Sequence, residues 1–134
     1  MYLSELSIGE KKNFLELAHF SMGLNGEFKD EEQEIYQSFV YECALPNYSL
    51  EKQEKIDSVI KVLAKSEARN RRIVLIELFG ILLADGDICD AEAQYMDKVS
   101  LAFDIEDYEV RKIQRWVEAM TDIVNEGYNI LNKE

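Results

Sequence analysis

Apolar side chains recur at steps of three and four along most of this chain, the spacing that lines one face of an α-helix. Ser7-Ile8-Gly9-Glu10 reads as a capping box and predicts a first helix with Phe14, Leu17, Ala18, Ser21 and Met22 on its inner face. Gly23 to Gly26 end it. A second helix is predicted from Asp30 as N-cap, with Glu31 and Glu32 in its first turn and Ile35, Tyr36, Phe39, Val40 and Cys43 as its buried stripe. Pro46 and Asn47 interrupt the pattern, because proline disfavours helical geometry at the residue before it. Ser49 is the predicted cap of a third helix, which buries Ile56, Val59, Ile60 and Leu63.

A second cycle follows. The densest apolar run, from about Arg69 to Ala84, predicts a helix in the middle of the core. Asp85-Gly86 close it, and Asp90 opens a fifth helix that buries Tyr95, Met96, Val99 and Ala102 or Phe103. After a break near Asp104, a long last helix carries Ile113, Val117, Met120, Val124 and Tyr128 or Leu131. Trp116 is read as core beside that stripe, and Gly127 as a point where the helix kinks or splits. The fold expected is all-α, a single bundle of about six to seven helices spanning 1–134.

The two cycles share a turn. Asn25-Gly26-Glu27-Phe28 and Asp85-Gly86-Asp87-Ile88 lie sixty positions apart, and the same offset pairs Asp30 with Asp90, Glu32 with Glu92 and Tyr48 with Tyr108. Two duplicated halves, about 9–65 and 69–125, are the economical explanation. In each turn a glycine reverses the chain, an apolar residue (Phe28, Ile88) is expected to plug the core, and acids stand before the next helix. Asp30 and Asp90 are then N-caps, with Glu32 and Glu92 on first-turn amides. The same acids pose a cation site as the alternative, Asp85, Asp87, Asp90 and Glu92 being the stronger set and Glu27, Asp30 and Glu32 the weaker. Hard divalent cations such as Ca²⁺ take six to eight oxygens. The spacing departs from an EF-hand, since glycine follows the first acid directly and Met96 stands where a bidentate glutamate is needed.

An apolar helix running into Ala84-Asp85-Gly86-Asp87-Ile88, with Glu92 seven residues after Asp85, resembles the tellurite-resistance TerB-like family over roughly residues 9 to 120. The resemblance implies an all-helical domain with two related halves, a link to tellurite and stress resistance, metal binding through acids, and modules of membrane-associated assemblies. It implies no enzymatic activity. The family's acidic motif falls on Asp85, Asp87 and Glu92 in the second half and on Glu27 and Glu32 in the first. Asn25 departs from it, Lys29 adds a positive charge nearby, and Cys89 stands where a polar residue is usual.

Charge narrows the classes of partner. Twenty-seven acids against 15 bases leave a net charge of −12, which repels nucleic-acid phosphates and anionic membrane surfaces. The longest apolar stretch, Ile73 to Ala84, is 12 residues with Glu77 inside it, against the roughly 20 that a membrane span needs. The first residues lack a signal peptide's basic and apolar regions. Cys43 and Cys89 form neither a metal pattern nor a disulfide framework, so a cytoplasmic setting is expected.

Catalytic chemistry finds no constellation. His19 is the only histidine and has no identifiable partners, Cys43 sits on an apolar stripe, and Cys89 lies in an acidic turn that disfavours a thiolate. A hydrolase using Asp85 and Glu92 is the remotest alternative. Glu77 must reach the surface, shift its pKa or find a partner, and the Arg69, Arg71, Arg72 cluster is the expected source of neutralising charge as well as a candidate docking point. The expected function is a non-enzymatic cytoplasmic interaction or stress-response module, cation-regulated in one version. A protein partner or a homodimer through the last helix is expected, and a divalent-metal-binding stress or tellurite-resistance protein is the alternative.

Overall fold

The computed structural model describes residues 1–26, 28–84 and 86–133. Six α-helices and two short 3₁₀ turns, with no strand, account for the regular structure among these residues: α1 Ile8–Met22, α2 Asp30–Glu42, α3 Ile56–Leu63, α4 Ala68–Leu82, α5 Asp90–Ala102 and α6 Asp107–Leu131. The all-α bundle predicted from periodicity is the observed fold. The sixty-residue offset extends to the element bounds, since α1 and α4 begin at 8 and 68 and end at 22 and 82, while α2 and α5 begin at 30 and 90 and end at 42 and 102.

Local chemistry accounts for most boundaries. Ser7 Oγ accepts from the Glu10 amide at 3.1 Å while the Glu10 carboxylate accepts from the Ser7 amide at 2.8 Å, which is the predicted capping box. Gly26 and Gly86 adopt φ of 81° and 98°, the left-handed region that glycine enters without a Cβ clash. α2 and α5 both end in a Schellman motif. The Leu45 amide donates to the Val40 carbonyl and the Ile105 amide to the Ser100 carbonyl, with Ala44 and Asp104 in the left-handed region at φ 56° and 55°. Neither is a glycine.

Two predicted caps are displaced. Asp30 and Asp90 are the first helical residues of α2 and α5, and the N-cap positions belong to Lys29 and Cys89. An acid at the first helical position still sits at the positive end of the helix dipole, which is why the sequence signal looked like a cap. Ser49 starts no helix. The chain stays irregular until the 3₁₀ turn Gln53–Lys55, and α3 begins at Ile56.

A buried acid on α1 holds the segment that precedes α3. Glu16 has no solvent exposure and accepts hydrogen bonds from the Tyr48 hydroxyl at 2.5 Å, the Glu51 amide at 2.9 Å, the Lys52 amide at 3.1 Å and the Gln53 side-chain amide at 2.8 Å. These four bonds tie the segment 48–53 to α1. Sixty residues on, Ile76 stands in place of Glu16, and the segment equivalent to 47–55 is helical as the start of α6. The Glu16 carboxyl is raised by burial, but the hydrogen bonds from Tyr48, Glu51, Gln53 and Lys52 outweigh this and hold it below its ordinary value.

The core joins both halves. α1 packs most closely on α3, α4 on α6, and α1 on α4, with Phe14, Leu17, Leu63, Leu75, Leu78, Phe79 and Phe103 among the fully enclosed side chains. α4 also meets α2 and the N-terminal turn, which makes it the central helix expected from its apolar density. Glu77, buried on α4, takes the Tyr2 amide at 3.2 Å and the Met1 amine at 3.1 Å, whereas Arg69 pairs with Glu5 and Arg72 with Glu109. The arginines therefore do not neutralise Glu77. Arg71 instead donates to the Phe103 carbonyl at the C-terminal end of α5, where a cation complements the dipole.

Candidate functional site

Five of the seven acids of the two turns lie within the described residues. Asp30, Asp87 and Asp90 are exposed, whereas Glu32 and Glu92 are buried, each at the third position of its helix. Glu92 reaches back to the Cys89 amide at 2.9 Å, so its carboxylate closes the helix end that lacks a side-chain cap. Asp85 and Glu27 lie outside the described residues. Among the described residues no group of three His, Cys, Asp or Glu side chains stands close enough to hold a metal ion. The two apolar anchors also differ. Ile88 packs against the core, while Phe28 is half exposed, with its ring 5.3 Å from that of His19. Phe28 therefore packs on His19 at the surface.

His19 itself is a packed group. Its Nδ1 lies 3.3 Å from the Gln53 side-chain oxygen, and the Tyr36 ring meets it edge-on at 5.5 Å. Cys43 is buried, and burial pushes its thiol up to about 11, which disfavours the thiolate. Neither residue is set beside a partner that would make it a base or a nucleophile.

The surface offers a different site, between the N-terminal turn, α4 and α6. Ile73 and Ile76 of α4 and Ile113 of α6 form the apolar floor of a groove of about 700 Å³. Tyr2 and Trp116 form one wall, their ring centroids 6.4 Å apart. Arg69, Arg72 and Lys112 stand around it. Trp116 is not core, as predicted from its place beside the stripe, but 42% exposed. Its position three residues after Ile113 and four before Met120 puts it on the flank of α6 that faces the groove rather than the bundle.

α6 shows the same division along its length. Val110 and Val117 are buried, Ile113 and Met120 half-buried, and beyond Met120 the helix runs on unbroken to Leu131 with no buried residue. The prediction that Val124 and Tyr128 or Leu131 complete a core stripe fails, because no other element reaches that far to cover them. Gly127 does not split the helix. Ile123, Val124, Tyr128, Ile130 and Leu131 are 48–78% exposed, an apolar surface on a free-standing helix end.

Sequence reasoning missed the groove. One signal was present: Trp116, Ile123 and Ile130 recur at seven-residue steps beside Ile113 and Met120, which makes the apolar face of α6 wider than one buried stripe requires. The contributions of Tyr2 and Ile76 had no such signal, since only folding brings residues 2, 76 and 116 together.

Comparison of the chain with protein-family models, with curated proteins and with solved structures yields no match. Among the described residues no helix is long and apolar enough to cross a membrane.

Proposed function

We propose that this chain is a non-enzymatic, cytoplasmic protein-interaction module of TerB-like type, whose docking site is the groove between α4 and α6 and whose partner presents an amphipathic helix. The observation that carries the reading is the half-exposed Trp116 over an isoleucine floor with cations at its edge. A solvent-facing tryptophan on an apolar floor is the surface an interface buries at its centre. The groove is open and lies between two helices, which suits a third helix laid into it. Arg69 and Arg72 are paired with Glu5 and Glu109, and Lys112, which joins no ion pair among the described residues, favours an acidic flank on that helix. The TerB-like resemblance supports a module that works by association, and stress response is the setting it suggests.

The test is photo-crosslinking in the host cell with benzoylphenylalanine in place of Trp116, and with Tyr41, an exposed residue on α2, as the control position. A defined adduct from position 116 that is absent from position 41 is expected. Equal labelling from both positions, or none from 116, would remove the groove as a docking site.

A further inference from the structure

We infer that the helix that fills this groove is α6 of a second copy of the chain, laid antiparallel across it. The inference rests on the docking reading above and names its partner. The charges on α6 supply the argument. Lys112, Arg115, Ala119, Asp122 and Glu126 follow one another at three- and four-residue steps, so they form a single stripe that is basic before Ala119 and acidic after it. All four charged residues are exposed, and none joins an ion pair among the described residues.

A stripe whose sign reverses about its middle is complementary to itself when turned end for end. Antiparallel pairing about Ala119 brings Lys112 against Glu126 and Arg115 against Asp122 of the second copy, and the twofold axis repeats both pairs. Parallel pairing would set Lys112 against Lys112 and Glu126 against Glu126, which like charges oppose.

The apolar face agrees with the same alignment. Ile113, Trp116, Met120, Ile123 and Ile130 keep the alternating spacing of a coiled-coil seam, with Gly127 at the one small position. In the antiparallel register Ile113 meets Ile123 and Trp116 meets Met120, each twice. The groove over Ile73 and Ile76 thus receives the free end of the other α6, and the 66% exposed Ile123 and 75% exposed Ile130 gain the cover that the bundle does not provide. The eleven residues beyond Met120 project about 16 Å, enough to reach past the groove of the facing copy.

The test is sedimentation velocity on the full chain and on two charge-reversed variants, Lys112→Glu/Arg115→Glu and Asp122→Lys/Glu126→Lys. All four positions are exposed, so circular dichroism is expected to match wild type and exclude misfolding. Wild type is expected to pass from monomer to dimer within about 1 to 100 μM. Each variant alone is expected to associate roughly tenfold more weakly or worse, because both symmetry-related pairs become repulsive. Mixed in equal amounts, the two variants are expected to form a heterodimer of restored strength, since every reversed charge then faces an opposite one. Wild type that stays monomeric at the highest concentration, or variants that fail to recombine, overturns the inference. A crosslink from position 116 to a different protein in the same case leaves the docking reading standing.

Discussion

Replacing Glu16 by Gln is the sharpest perturbation available in this fold. The carboxylate is fully enclosed and holds four donors, from Tyr48, Glu51, Lys52 and Gln53, on the one segment that precedes α3. Glutamine keeps the volume and one acceptor oxygen. It removes the charge, and its NH₂ group faces backbone donors that cannot rotate away. Losing two charge-assisted hydrogen bonds at about 1.5 to 3 kcal/mol each predicts a destabilisation of about 3 to 6 kcal/mol. For a domain whose total stability is about 5 to 15 kcal/mol that is a large fraction, and Tm should fall by about 10 to 15 °C. Tyr48→Phe, which removes one donor and leaves the charge, should cost about 1.5 to 2 kcal/mol. Urea unfolding followed by circular dichroism gives both numbers, and amide exchange at Glu51 and Lys52 should accelerate in the glutamine variant alone. The pH dependence has a definite sign. The folded-state pKa of Glu16 is depressed, so its stabilisation is present above the unfolded value of 4.5 and is lost as pH falls through the folded value. Between about pH 5 and 3 the urea midpoint of wild type should drop more steeply than that of Glu16→Gln. A glutamine variant within about 1 kcal/mol of wild type, with unchanged exchange at 51 and 52, would refute the claim that this carboxylate organises the loop.

Three further outcomes follow from single residues. Ala44 occupies a left-handed C′ position that costs a non-glycine residue about 1 to 2 kcal/mol, partly offset by the chain entropy of glycine, so Ala44→Gly should stabilise by about 0.5 kcal/mol in thermal or urea unfolding; destabilisation would contradict the Schellman assignment. Glu92→Ala should cost about 1 to 2 kcal/mol because it frees the Cys89 amide at a helix end, whereas Asp90→Ala, exposed and two positions earlier, should cost only about 0.3 to 0.5 kcal/mol; equal costs would mean the acids act only through the dipole. One thiol, that of exposed Cys89, should react with Ellman's reagent in the folded protein, and Cys43, buried with its pKa pushed up to about 11, only after unfolding; two fast thiols would place Cys43 wrongly.

What the sequence determined by itself was set by local physics. The three- and four-residue apolar spacing dictated helices, and the Ser7–Glu10 box and the glycines at 26 and 86 dictated where the chain turns. Those signals act within one or two turns of backbone, so they survive without knowledge of the neighbours. The sixty-residue repeat of the acidic turns was legible for the same reason, and the bounds of α1, α2, α4 and α5 keep it. Tertiary structure decided how the segment before α3 is held, because the acceptor for the 51 and 52 amides is Glu16, some 35 residues distant in the chain. It also decided which apolar residues are core. Val117 and Val124 look alike in the pattern, yet one is enclosed by the bundle and the other projects past its end. Periodicity reports which face of a helix is apolar, but only the lengths and positions of the helices around α6 determine how much of that face is covered, and the uncovered part, with Trp116 at its edge, is where the docking site lies.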